Sequence, residues 1–250
     1  MKSLYINLKI FLFDLLFPRQ CVGCSTEGSW ICQECLKGID IIKQPFCPEC
    51  RRVTDIGEFC VSCRSRFFLD GIFICANFED GVLKELVHQF KYNRLFDMGN
   101  VLGKILAGKM HFLAHDLEEK EIDFDFIIPV PLHKKRRVWR GFNQAEVLGR
   151  ELLHELNISY HEWENMRLMV DILTRKKYTV PQMELDREGR LNNLKNVFTI
   201  NESYKKILEN KSILLIDDIT TTSTTLEECA RVLKDNGAKS VWGLVLAKGK

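Results

Sequence analysis

Apolar residues follow two patterns along this chain: short unbroken runs, and longer stretches in which they recur every three or four positions. The unbroken runs predict buried strands over residues 72–78, 126–130, 212–216 and 241–246. The helical periods predict helices over residues 81–92, 100–113, 143–156 and 226–233. Continuous apolar strands that alternate with helices indicate an α/β fold, with a mainly parallel sheet and helices on both faces.

Residues 4–17 form a further apolar stretch, near the start of the chain. Its apolar positions share one helical face: Leu4, Leu8, Phe11, Leu12, Leu15 and Leu16. The stretch is too short to span a membrane, and three polar residues interrupt it: Asn7, Lys9 and Asp14. We interpret it as an amphipathic helix that docks on the rest of the protein. The alternative is an anchor that lies on a membrane surface.

The composition is that of an ordinary soluble globular protein, with 46% hydrophobic and 28% charged residues among 250. A formal net charge of +2 gives no strong attraction to nucleic acid, so any basic surface must be local. The cysteine content is unusual. Eight of the ten cysteines form four Cys-x-x-Cys pairs, a spacing typical of metal thiolates in a reducing compartment. We therefore expect a cytoplasmic location.

Two Cys-x-x-Cys pairs together supply the four sulfur ligands of a tetrahedral zinc site. The eight paired cysteines thus predict two closed, structural zinc sites: Cys21, Cys24, Cys32, Cys35, Cys47, Cys50, Cys60 and Cys63. Sequential and crossed pairing both remain open, and an iron–sulfur cluster or redox-active dithiols are the alternatives to zinc. Cys75 and Cys229 lie in apolar settings and are predicted to be buried and inert. The predicted domains are residues 1–68, with the helix and two zinc ribbons, and residues 69–250.

A candidate phosphate-binding loop follows the strand predicted at residues 212–216. That strand leads into Asp217 and Asp218, and six hydroxyl residues follow at positions 220–225 before a helix begins. Thr224 and Glu227 fit a capping box at the start of this helix. Hydroxyls and free N–H groups at a helix N-terminus bind phosphate, whereas carboxylates suit sugar hydroxyls or a divalent cation. A ribose 5-phosphate has both groups. The alternative is a hydroxyl-capped turn without a ligand.

This stretch resembles the phosphoribosyl pyrophosphate signature of type I phosphoribosyltransferases. The resemblance implies that Asp217 and Asp218 hold the ribose hydroxyls as the catalytic pair. It implies that the loop holds the 5′ phosphate through Thr221, Thr222, Ser223, Thr224 and Thr225. The family has glycine at the position of Ser223. A positive φ at that position would cost serine about 1–2 kcal/mol.

A second motif begins where the strand predicted at residues 126–130 ends. Five lysine and arginine residues lie within positions 133–140, a run suited to pyrophosphate or to a nucleic-acid backbone. The alternative is a solvated, mobile basic loop. Trp139 and Phe142 are either loop anchors or platforms on which bases stack, and helix packing is the favoured role of Phe142.

Pro-Val-Pro-Leu at residues 129–132, followed by Arg-Gly-Phe-Asn-Gln-Ala-Glu at residues 140–146, resembles the competence protein F (ComF, ComFC) group of phosphoribosyltransferase-like proteins. Other positions share the spacing of that group: Phe90, Lys91, Tyr92, Gln182, Arg190, Asn193 and Phe198. The resemblance implies a pyrophosphate loop that includes Val130, Pro131 and Leu132. It also implies a flexible loop over the site that includes Arg140 and Gln144. The group carries a similar double zinc ribbon.

The resemblance implies a role in natural transformation, with Mg²⁺-associated phosphoribosyl pyrophosphate and single-stranded DNA as ligands and competence or DNA-processing proteins as partners. The basic stretch and the arginines of the zinc ribbons would contact DNA: Arg51, Arg52, Arg64 and Arg66. If the protein is an enzyme, it transfers ribose 5-phosphate with loss of pyrophosphate. The alternatives are a metabolic phosphoribosyltransferase that acts on a base or amine, and a non-catalytic DNA-binding adaptor.

Overall fold

The computed structural model describes residues 19–79, 81–92, 97–159, 163–177 and 197–249. The amphipathic helix predicted over residues 4–17 lies outside these residues. So do three positions of the family resemblance, Gln182, Arg190 and Asn193.

The cysteine-rich segment contains two short helices, α1 (Gln33–Lys37) and α2 (Val61–Arg64). The remaining helices are α3 (Gly81–Tyr92), α4 (Met98–Glu119), α5 (Lys134–Arg140), α6 (Gln144–Ser159) and α7 (Thr224–Lys234). The strands are β1 (Gly71–Asn77), β2 (Phe126–Pro129), β3 (Arg167–Leu168), β4 (Leu173–Arg175), β5 (Phe198–Ile200), β6 (Ser212–Thr220) and β7 (Ser240–Lys248). A 3₁₀ helix covers Glu202–Leu208.

Five strands form one parallel sheet in the order β1-β7-β6-β2-β3, and β4 pairs with β5 in a separate antiparallel ribbon. Alternate residues of β6 enter two different hydrophobic cores. Leu214 and Ile216 pack in the core that includes residues of α3, α4 and α6, whereas Ile213 and Leu215 pack in the core of α7. The predicted α/β class, with helices on both faces of a parallel sheet, is therefore confirmed.

The cysteine-rich segment covers the outer edge of the sheet at β1. Backbone hydrogen bonds join Ile42 N to Cys75 O at 2.8 Å and Ile72 N to Gly57 O at 2.9 Å. Buried Lys109 of α4 donates its Nζ to the carbonyl of Ile42 at 2.9 Å. An open edge strand carries unpaired backbone groups that can recruit another chain, and here these contacts occupy them. The division at residue 68 stays a prediction, and the two parts share both cores.

Two strand ends differ from the predicted bounds in ways that shape the rim of the sheet. β2 ends at Pro129, as the sequence indicated. β6 does not end at Ile216 but continues through both aspartates, because Asp217, Ile219 and Thr220 still pair with β7. The acidic pair therefore lies on a strand and not in a loop.

Candidate functional site

The acidic pair lies at the carboxyl end of β6, beside the beginning of α7. Asp217 Oδ1 accepts a hydrogen bond from the N–H of Asp218 at 2.9 Å, and Asp218 Oδ1 accepts one from the N–H of Ile219 at 2.7 Å. Asp218 is buried and Asp217 is half-buried. These bonds orient the two carboxylates near the end of β6, shortly before the hydroxyl-rich loop.

Burial, and then the negative charge of Asp218, raise the pKa of Asp217 to about 7. Lys91 and Arg175 act in the opposite direction on this pKa, so both cations lie within electrostatic range of the carboxyl. The carboxyl of Asp217 therefore changes its charge near neutral pH.

Two hydroxyl residues of the loop after β6 contact each other. Thr222 Oγ1 and Thr224 Oγ1 are 2.7 Å apart, and Ser223 and Thr224 are buried. Ser223 has φ 60° and ψ 6°, so the position does require the left-handed conformation that favours glycine. Its side chain is 5% exposed, and its Oγ has no hydrogen-bond partner among the described residues. Thr221 and Thr225 flank this turn and are half-buried.

The predicted capping box at Thr224 and Glu227 is wrong. The N-cap of α7 is Ser223, and its side chain makes no capping bond. The carboxylate of Glu227 instead accepts hydrogen bonds from the N–H groups of Phe68 and Leu69, at 2.6 and 3.2 Å. Glu227 therefore ties α7 to the end of the cysteine-rich segment and leaves the helix N-terminus without a side-chain cap.

Two basic side chains lie at this end of the sheet, and the sequence of the loop did not predict them. Lys91, at the end of α3, places its Nζ 2.9 Å from Asp218 Oδ1, and both side chains are largely buried. Arg175 ends β4 and stacks over the ring of Phe198 at 5.3 Å. Lys91 belongs to the Phe90-Lys91-Tyr92 motif, so that motif was the available signal. Nothing in the sequence around Arg175 indicates its position.

The Pro129 side of the site differs from prediction in one respect. Val130 is buried and donates its N–H to the carbonyl of Ile216 at 2.9 Å, while Pro131 and Leu132 are half-buried beyond it. The basic stretch that follows is not a loop but helix α5. Gly141 ends that helix with φ 85° and donates its N–H to the carbonyl of Arg137.

The segment predicted to be a flexible loop over the site is a short junction between helices, with Arg140 at the end of α5 and Gln144 at the start of α6. Arg140 donates to Gln144 Oε1 at 2.9 Å, and Asn143 donates its Nδ2 to the carbonyl of Val130 at 3.1 Å. Phe142 is buried against Phe90 with ring centroids 5.3 Å apart, which confirms its packing role. The helix junction is therefore fastened to the end of β2.

The eight paired cysteines form two clusters in sequential order, residues 21, 24, 32 and 35, then 47, 50, 60 and 63. Within each cluster all four sulfur atoms lie within 4.8 Å of one another, so crossed pairing is excluded. Four thiolates at this spacing are the donor set of structural zinc. A β-carbon at Gly23 would lie 2.7 Å from Sγ of Cys35, so the first knuckle requires glycine. Cys75 and Cys229 are fully buried, as predicted.

The comparisons with known proteins agree with both halves of this architecture. A family model described as the double zinc ribbon domain matches residues 12–69. The chain is 29% identical over 241 residues to competence protein F of Haemophilus influenzae, which covers 92% of this chain and 98% of that protein. The chain is therefore similar to the competence protein F family along nearly its whole length. The segment that matches the double zinc ribbon holds both four-cysteine clusters, and the parallel α/β sheet that the sequence predicted is built mainly from the residues after it.

Other relatives in this family are more distant or cover less of the chain. Competence protein ComFC of Streptococcus pneumoniae is 26% identical over 86% of each protein. DNA utilization protein YhgH of Escherichia coli strain K12 is 29% identical, and the chain spans 64% of its length. A solved glutamine phosphoribosylpyrophosphate amidotransferase from B. subtilis is 16% identical, with a TM-score of 0.33 over 59% of this chain and 25% of that one. None of the helices in the described residues is long and apolar enough to cross a membrane.

Proposed function

We propose that this protein binds a phosphoribosyl ligand, phosphoribosyl pyrophosphate or a related ribose phosphate, at the rim formed by β6 and α7, and binds single-stranded DNA beside it. The proposed role is in DNA uptake or utilization, since relatives carry the names competence protein and DNA utilization protein. The single observation that carries the ligand proposal is the placement of Asp217 and Asp218 immediately before the loop that leads into α7.

The acids and the loop provide different halves of a ribose-phosphate site. Ionised carboxylates accept hydrogen bonds from the ribose hydroxyls, and local hydrogen bonds to the backbone orient both Asp217 and Asp218. The first N–H groups of α7, with the hydroxyls of residues 221–225, favour the 5′ phosphate. Because Glu227 is engaged with Phe68, its carboxylate does not compete with the phosphate for the N-terminus of α7.

The cations at the rim support a ligand with further negative charge. Lys91 and Arg175 lie within electrostatic range of Asp217, and Val130, Pro131 and Leu132 border the same end of the sheet. We propose that the two cations and the segment after β2 together bind the pyrophosphate. The aspartate oxygens are donors that Mg²⁺ prefers, and Mg²⁺ bound with the ligand would neutralise charge on the pyrophosphate.

Helix α5 supports the DNA half of the proposal. Five of its seven residues are lysine or arginine, and it contains no acidic residue. On the zinc ribbons Arg51, Arg52 and Arg64 are exposed. Arg66 is less available, because it donates to Sγ of Cys63 at 3.2 Å. Local positive charge of this kind binds phosphate backbones even where the net charge is small.

The ligand proposal is tested by titration calorimetry of the full chain with phosphoribosyl pyrophosphate and Mg²⁺. Asp217→Asn with Asp218→Asn should weaken binding at least about tenfold, because each change removes a charged acceptor worth roughly 1.5–3 kcal/mol. The matched control neutralises two adjacent exposed acids at the end of α4, Glu118→Gln with Glu119→Gln, and should bind like wild type. Undiminished binding by the aspartate variant would exclude the assignment of the acids.

The DNA proposal is tested separately, by fluorescence anisotropy with a labelled oligothymidine at several salt concentrations. Lys134→Gln with Lys135→Gln should weaken binding and reduce the slope of log K against log salt by about 0.7 for each lost phosphate contact. The control is Lys205→Gln with Lys206→Gln, two exposed lysines of the 3₁₀ helix. Equal losses in the two variants would mean that α5 has no special role.

Transfer of the phosphoribosyl group is the enzymatic form of this proposal. Release of pyrophosphate from phosphoribosyl pyrophosphate, in the presence of single-stranded DNA or of free bases and amines, distinguishes three functions. DNA-dependent release identifies a DNA-linked transferase, and release only with a free acceptor identifies a metabolic phosphoribosyltransferase. Binding of both ligands without release identifies a non-catalytic adaptor.

A further inference from the structure

Two exposed aromatic side chains lie at the ends of helices α3 and α5. Trp139, in the last turn of α5, is 61% exposed, and Tyr92, at the end of α3, is 45% exposed. Their ring centroids are 5.5 Å apart in an edge-to-face arrangement. Large aromatic rings usually bury most of their surface, so a pair left open on one side needs a cause in function.

Neighbouring side chains hold this pair in place. The guanidinium of Arg140 lies 5.6 Å from the Tyr92 ring centroid, and the ring of His88 lies 4.7 Å from it. Arg140 is itself anchored by its hydrogen bond to Gln144. We call Tyr92, Trp139 and Arg140 the aromatic platform. Contacts with Arg140 and His88 support it, while both of its rings stay partly exposed.

The aromatic platform is tied to the phosphoribosyl site through α3. Tyr92 directly follows Lys91, whose side chain contacts Asp218, and Phe90 on the other side of Lys91 is buried against Phe142. The two ends that carry the platform, those of α3 and α5, are therefore positioned by the same packing that positions Lys91. The platform therefore lies one residue along α3 from the lysine that contacts Asp218.

The positive charge around the aromatic platform favours one class of ligand. Trp139 lies on the helix that carries five cations and no acid, and Arg140 belongs to both the helix and the platform. A polyanion with planar rings matches such a surface, because phosphates pair with the cations while bases stack on the aromatic faces. We infer that the aromatic platform stacks an unpaired base of single-stranded DNA, and so presents that base beside the phosphoribosyl site. This inference rests on the DNA half of the proposed function.

The test compares two oligonucleotides of equal length and charge, a twenty-residue oligothymidine and an abasic chain with the same backbone. Trp139→Ala should weaken binding of the oligothymidine about tenfold, since one stacked base contributes roughly 1–3 kcal/mol. Binding of the abasic chain should not change. The matched control is Phe112→Ala, which removes another exposed aromatic ring, 52% exposed on α4. It should leave both affinities at the wild-type value.

The outcomes separate the platform from the proposed function. If wild type binds neither oligonucleotide, the DNA half of the proposed function fails and the platform fails with it. If wild type binds oligothymidine but Trp139→Ala binds it equally well, the platform alone is wrong. Equal weakening for both oligonucleotides would assign Trp139 to backbone contact and also overturn the stacking. Quenching of tryptophan fluorescence by oligothymidine, absent in Trp139→Phe, is the second measurement.

Discussion

The Nζ of Lys91 lies 2.9 Å from Oδ1 of Asp218, and the two side chains are only 18% and 10% exposed. The lysine neutralises one of two carboxylates that are consecutive on β6. A ligand that reaches the acids with its hydroxyls meets this ammonium group at the same place. Lys91 thus has two functions to test, one in stability and one in binding.

Lys91→Met should lower the free energy of unfolding by about 3 kcal/mol, because it leaves a buried carboxylate without its partner. Adding Asp218→Asn to this variant should restore most of the loss, since the remaining amide carries no charge. Urea unfolding followed by circular dichroism measures both values. Lys91→Arg, which keeps the charge, should unfold close to wild type. A double variant no more stable than Lys91→Met would contradict the ion-pair explanation.

The stability of the protein should depend on pH through Asp217. Its pKa is raised from 3.8 to about 7 in the folded protein, mainly by burial. Between these values the folded protein keeps a proton that the unfolded chain has lost. The free energy of unfolding therefore falls as the pH rises from about 4, and the whole decrease is reached above about pH 7.

Melting temperatures of wild type and Asp217→Asn at pH 5 and pH 8 measure this dependence. The variant should gain stability relative to wild type as the pH increases, because its amide has no proton to lose. A constant difference between the two proteins across this range would show that Asp217 has an ordinary pKa.

Ser223 combines a left-handed backbone with a buried hydroxyl that has no partner in the described part of the chain. Ser223→Gly should raise the free energy of unfolding by about 1–2 kcal/mol, because glycine adopts this conformation without strain. Ser223→Ala keeps the β-carbon and the strain while it removes the hydroxyl, so it should be less stable than Ser223→Gly. Chemical denaturation of the three proteins gives the comparison, and the reverse order would exclude backbone strain as the cause.

Metal analysis of the purified chain should find about two zinc ions, one for each cysteine cluster. Cys24→Ser should retain about one, because three remaining ligands leave the first site open to water and weaken it. Cys229→Ala, a fully buried cysteine outside both clusters, should retain two. Iron, or fewer than two zinc ions in wild type, would contradict two closed zinc sites.

The sequence predicted the elements that depend on local pattern. A buried strand covers the apolar run at residues 212–216, and helix α3 covers the periodic stretch at residues 81–92. Both could be predicted because the spacing of apolar residues within a short window indicates the type of element. The spacing of the cysteines likewise indicated two clusters, although only their three-dimensional positions excluded the crossed arrangement.

The errors arose where a distant contact replaced a local one. Glu227 has the spacing of a capping box, but the backbone N–H groups of Phe68 and Leu69 take its carboxylate. β6 continues past Ile216 because β7 is long enough to pair with it. Arg175 approaches Asp217 only after β4 and β5 have paired. No window of sequence around these residues contains the partner that decides their role.

The cysteine-rich segment covers the edge strand β1, so we expect bound zinc to be needed to prevent self-association of the protein. Without zinc the cysteine-rich segment loses the ligands that organise it, and the backbone groups of Gly71–Asn77 that meet Gly57 and Ile42 are released. Such a strand, apolar and unpaired, joins readily to the same strand of another molecule. We therefore expect removal of zinc to promote self-association of the protein through β1.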